Sequence, residues 1–197
     1  EILIGLVGSE MCIRDSIKSF LWDKLFHRKV MTELLPKSYY YEDYATLFKW
    51  FINAGRIAFY QKPEYHYRQR KGSTDHDADP LKKYHFFVAE QERYNYLQKH
   101  HLLLERSKEF AVKVVLTGLQ ETKGIARGVK DREKGLYYID KIRQELRKYL
   151  PVGYKELGLK KYIRLWKLQY FLSWYLFSLR LNRLFIFKKK SRRIYYE

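Results

Sequence analysis

An acidic pair, Glu42-Asp43, stands where a polar-aromatic loop gives way to a periodic apolar segment. Two roles suit such a pair. Carboxylates in the first turn of a helix accept from its free amides and complement its dipole. A carboxylate there can also serve as a general base, taking the proton of a hydroxyl as that hydroxyl attacks an electrophilic carbon. A helix N-terminus favours the ionised form that a base requires. Upstream lies Trp22-Asp23-Lys24. Trp22 is either core or a flat face for stacking. Asp23-Lys24 is either a solvated ion pair or a pair of groups for ligand hydroxyls. Downstream runs Tyr65-His66-Tyr67-Arg68-Gln69-Arg70-Lys71-Gly72-Ser73-Thr74. Its cations either steady negative charge on a leaving group or form a solvated basic edge that resists aggregation.

These residues need elements to position them. Residues 17–35 mix apolar and basic positions at roughly helical spacing and end before Pro36. Over residues 42–54, Tyr44, Leu47, Phe48, Phe51 and Ile52 recur at helical spacing, with Gly55 as the expected stop. Short strands are expected at 56–60 and 64–70, then a turn at 71–74 and a polar loop to Pro80. Beyond it the pattern predicts helices at 81–100, 105–123, 134–150 and 159–187. Breaks are expected at Gly124–Gly128 and Pro151–Gly153. The chain therefore reads as α/β at first and all-α afterwards, with the change near Pro80.

Taken in order, Trp-Asp-Lys-Leu, an aromatic loop, Glu-Asp opening an amphipathic helix, and Tyr-x-Tyr-Arg-x-Arg-x-Gly-Ser resemble the second half of the catalytic domain of family 2 glycosyltransferases. Bacterial members that build cell-surface glycans are the most similar. The resemblance covers residues 19–97. It implies the C-terminal half of a GT-A, Rossmann-like domain over residues 17–80, followed by a helical region over 81–197. It implies sugar transfer, with inversion of the anomeric centre, from a nucleotide-sugar donor to a glycan or lipid-linked acceptor. Asp43 then matches the family's base and Glu42 its neighbour. Trp22 and Asp23 fall on the acceptor side. Tyr65, Tyr67, Arg68 and Ser73 match the loop that closes over the substrates, with Arg70 beside it.

The resemblance also implies Mg²⁺ or Mn²⁺ in an intact parent, held by an Asp-x-Asp motif in a nucleotide-binding half. No such motif precedes Trp22, and Asp75-His76-Asp77 lies in the wrong place for it. The chain as written is thus expected to be inactive alone, and no metal site is assigned within it. Residues 8–16, Gly-Ser-Glu-Met-Cys-Ile-Arg-Asp-Ser, read like translated sequencing-adapter DNA. Residues 1–16 are accordingly expected to be non-native.

Charge points to an anionic partner. The 197 residues carry a formal net charge of +18, and aromatic residues make up 18%. A surplus that large suits nucleic acid, anionic lipid or a phosphorylated ligand. No recognised DNA- or RNA-binding motif accompanies it, so nucleic acid is not the expected partner. From Lys160 to Arg193 there are eleven Lys or Arg and no Asp or Glu, flanking the aromatic stretch 168–179. That stretch is too short to span a bilayer. It suits the surface of an anionic membrane, with rings at the headgroup level. The expected location is cytoplasmic, peripheral on the inner face of the cell membrane. The single cysteine, Cys12, excludes an internal disulfide.

Overall fold

The computed structural model describes residues 19–37, 40–58, 66, 79–128, 131–149 and 151–179. The chain divides into two compact units, Glu1–Asp77 and Ala78–Glu197.

The first unit is organised around helix α1, Glu42–Asn53. Ala45, Thr46, Leu47, Phe48 and Trp50 are all buried. Burial therefore extends beyond the expected stripe, of which Tyr44, Phe51 and Ile52 are only partly covered. An aromatic and polar clasp ties α1 to the preceding segment. Phe26 meets Trp50 edge-on at 5.2 Å and Phe51 at 5.6 Å between ring centres. The Trp50 indole donates to the Glu33 carbonyl at 3.2 Å, and Asn53 donates to the Thr32 hydroxyl at 2.9 Å. Lys49 pairs with Glu33. Before α1, residues 19–37 form only a short helical turn, Arg28–Val30, started by His27, whose ring accepts from the Lys29 amide.

The second unit is helical. Its elements are α2 (Pro80–Lys99), α3 (Ser107–Gly128), α4 (Arg132–Leu146), the short α5 (Tyr154–Leu157), α6 (Leu159–Tyr170) and α7 (172–179). Caps set the starts. Asp79 accepts from the Leu81 amide ahead of Pro80, and Asp131 accepts from the Lys134 amide. Phe87, Val114, Val115, Leu119, Ile139, Ile142, Leu146, Leu165 and Leu168 form the core. Each such side chain contributes roughly 1.5–3 kcal/mol on burial. Gly118 marks the closest approach: a Cβ there would meet Leu146 Cδ2 at 2.9 Å and Phe87 Cε2 at 3.0 Å.

The α/β expectation, a truncated Rossmann-like half, is overturned: the described residues are mostly helical and contain no strand. Residues 56–58 of the first expected strand are described and do not form one. Residues 59–60 and the second strand at 64–70, His66 apart, lie outside the described residues, as do residues 1–18 and the turn at 71–74. The expected strands are short, and a short strand is marginal without partners to pair with. The helical reading rested on apolar repeats long enough to bury a face.

The helix boundaries depart most from expectation at two places. α3 runs through Gly124 to Gly128 rather than stopping at Lys123. A helical glycine costs about 1 kcal/mol, which burial of Ile125 outweighs. The long helix expected from residue 159 is interrupted at Phe171, whose backbone leaves the helical region (φ −136°, ψ 61°). The interruption lets Tyr175 and Leu179 turn into the core, where both are buried.

Candidate functional site

Asp43 lies in the first turn of α1. The helix begins abruptly. Tyr41 takes the N-cap in the left-handed region (φ 64°, ψ 34°) and provides no side-chain cap. For a non-glycine residue that conformation costs on the order of 1–3 kcal/mol, and such strain concentrates at functional sites. Nothing in the sequence signals it, because tyrosine has no preference for left-handed backbone.

The Asp43 carboxylate is half-buried and accepts from the Tyr44 amide at 2.7 Å. Burial raises its pKa above the usual carboxylate value. The Glu42 charge adds to the rise, while the Tyr44 amide and the Lys24 ammonium oppose it. The outcome departs from the sequence-based expectation that the helix terminus keeps this group readily ionised. Loss of solvent outweighs the helix amides. A base with a raised pKa holds a proton more strongly, which brings it closer to the range where proton transfer is efficient.

Trp22-Asp23-Lys24 belongs to the same unit. The field of Lys24 reaches Asp43, and Lys24 also pairs with Asp23 and donates to the Phe20 carbonyl at 2.8 Å. Trp22 stacks on Phe20 with ring centres 5.0 Å apart and remains 40% exposed. The pair thus presents an aromatic surface to solvent rather than entering a core. Glu42 is partly buried beside Asp43. Tyr65, Tyr67, Arg68, Arg70 and Ser73 lie outside the described residues.

No protein-family model, curated protein or solved structure matches this chain. Among the described residues no group of three or more His, Cys, Asp or Glu could hold a metal ion. Among the described residues no helix is long and apolar enough to cross a membrane.

Proposed function

We propose that residues 17–80 supply the acceptor side of a sugar-transferring active site, with Asp43 as the general base. Asp43 takes the proton of an acceptor hydroxyl as that oxygen attacks the anomeric carbon of a nucleotide-sugar donor, with inversion. The acceptor is a glycan or a lipid-linked saccharide of the cell surface. Exposed Trp22 offers a face for a sugar ring, and Asp23 offers an acceptor for its hydroxyls. Arg68 and Arg70 are assigned to the diphosphate leaving group from their motif alone. Donor binding is assigned to a nucleotide-binding half outside this chain.

One observation carries the reading. A half-buried carboxylate with raised proton affinity opens α1 within the electrostatic reach of the Trp-Asp-Lys segment. The order of motifs along the chain supports the same assignment. Exposed Trp166, Tyr170, Phe171, Trp174 and Phe177, with cations flanking them in the sequence, support a peripheral position on the anionic inner face of the cell membrane. That aromatic and basic surface also favours a second reading, a non-catalytic module bound to anionic membranes.

The test is Asp43→Asn in the protein that joins this segment to a nucleotide-binding half. Sugar transfer should fall about 10²- to 10⁴-fold with the circular dichroism spectrum unchanged. Full turnover in a folded variant rules out the base. Vesicle binding that is independent of Asp43 and weakens with salt, without any transfer in the parent protein, favours the second reading.

A further inference from the structure

Helices α3, α6 and α7 enclose an open groove of about 350 Å³. Its walls carry Lys123 and Arg127 from α3, Lys160, Arg164 and Lys167 from α6, and Ser178 from α7. Helical spacing explains the convergence. Lys123 and Arg127 are four residues apart on one face of α3. Lys160, Arg164 and Lys167 follow at i, i+4 and i+7 on one face of α6. Leu165 and Leu168 pin the neighbouring face of α6 into the core. The buried Tyr175 anchors α7 to Thr122 at 2.9 Å.

This arrangement is electrostatically unfavourable as it stands. Like charges at i, i+4 oppose each other, and here two such rows face one another. No carboxylate lines the groove, and residues 159–179 contain no Asp or Glu. Among the described residues these five cations make no ion pair with a carboxylate. The Arg127 Nε is buried and has no hydrogen-bond partner among them. Burial depresses the Lys123 pKa, and the charges of Arg127 and Arg164 depress it further. An orphaned guanidinium nitrogen and crowded cations are both relieved by an anion.

We propose that this groove binds a diphosphate group. Guanidinium forks match phosphate oxygens in paired hydrogen bonds, and lysines add compact positive charge. From Lys160 to Lys167 the face of α6 extends about 10 Å at 1.5 Å per residue, longer than one phosphate requires and suited to two joined phosphates. The diphosphate belongs either to a lipid headgroup or to a soluble molecule. Lys167 packs 4.0 Å from the centre of the exposed Trp174 ring, so the groove adjoins the aromatic surface of α6 and α7. The inference is independent of Asp43, and either assignment can fail alone.

The test is titration calorimetry of the full chain with pyrophosphate at matched ionic strength. The wild-type chain should bind one equivalent. Arg127→Gln with Arg164→Gln should weaken binding at least about tenfold, since charged hydrogen bonds are lost. Arg132→Gln with Lys155→Gln removes the same charge from exposed positions elsewhere and should bind as the wild type does. Absence of binding, or equal weakening in both double variants, overturns the proposal by reducing it to net charge. Should the groove variant fail to fold, Lys160→Glu at an exposed position takes its place; the same loss is expected, and unchanged affinity overturns the site. Vesicles of phosphatidylcholine with diacylglycerol pyrophosphate, a lipid whose headgroup is a diphosphate, distinguish the sources. Displacement of bound chain by pyrophosphate identifies a headgroup site. Pyrophosphate binding without displacement identifies a soluble ligand.

Discussion

The hydroxyls of Thr122 and Tyr175 meet 2.9 Å apart inside the helical unit, joining α3 to α7. Thr122 also donates to the Leu119 carbonyl at 3.2 Å, so the Tyr175 hydroxyl is the donor in the shared bond. Both residues are fully buried, and burial raises the Tyr175 pKa. Tyr175→Phe keeps the ring and leaves the Thr122 oxygen short of a partner. It should cost about 1 kcal/mol, or about 2–4 °C in Tm for a chain of this size. Thr122→Val combined with Tyr175→Phe removes both partners and should cost less than the sum of the two single changes. Thermal melts of the four proteins check this, and strict additivity would refute the bond.

Gly118 sets how closely α3 approaches its neighbours. Gly118→Ala improves helix propensity by about 1 kcal/mol, yet its Cβ would meet Leu146 and Phe87 side-chain carbons at 2.9–3.0 Å. Leu146 and Phe87 are themselves fully buried and have little room to yield. Overpacking of this kind costs about 1–3 kcal/mol, so the net change should be destabilising. Urea denaturation should show a lower midpoint with an unchanged slope. A rise in midpoint would mean that the three helices separate easily.

The helical unit was largely legible because its signals are long and local. The helix starts expected at 81 and 134 fall within two residues of those that Asp79 and Asp131 cap. What escaped depends on tertiary context. Gly124 and Gly128 read as a break, yet Ile125 lies between them at 1% exposure and holds the helix together. Phe171 reads as helix interior, yet the chain kinks there so that Tyr175 reaches Thr122. The α/β assignment failed because it leaned on the family resemblance and on segments too short to specify strand pairing. At the site, the Glu42-Asp43 position at a helix start was legible. The burial that reverses the expected shift of Asp43 was not, since it depends on what surrounds α1. The groove cations of α3 were hidden because Lys123 and Arg127 gain meaning only when α6 faces them.

Glu121 is a buried carboxylate whose pKa burial raises and the Lys83 ammonium lowers. The pair is 3.4 Å apart, with the Lys83 side chain running over Gly124, where an added Cβ would sit 2.9 Å from Lys83 Cε. Lys83→Met strips the cation from Glu121 and should cost about 1–3 kcal/mol at neutral pH. The sign with pH follows from the net rise. The folded state holds the Glu121 proton more tightly than the unfolded chain does. Stability from this group is therefore present at low pH and lost as pH rises from the ordinary value of 4.5 through the folded pKa. Glu121→Gln should flatten that decline, whereas Lys83→Met should steepen it. Urea midpoints measured from pH 4 to about 8 test both, and identical slopes in all three proteins would refute the assignment.

Asp43 obeys the same sign and adds a kinetic consequence. Its pKa is raised from 3.8, with burial as the largest cause, so the folded state favours the protonated form. Its contribution to stability is lost as pH climbs from 3.8 through the folded pKa. Asp43→Asn should remove that loss and make the chain as stable as the wild type, or more so, at neutral pH. Proton transfer runs the other way, because only the ionised carboxylate accepts a proton. In the protein joined to its nucleotide-binding half, kcat/KM should rise with pH along a limb centred above 3.8. Lys24→Met removes a charge that lowers the Asp43 pKa, and it should move that limb to higher pH while leaving the plateau within about threefold. A limb that stays in place in Lys24→Met would show that Asp43 is not the group being titrated. A stable Asp43→Asn variant with lost turnover would show the opposite.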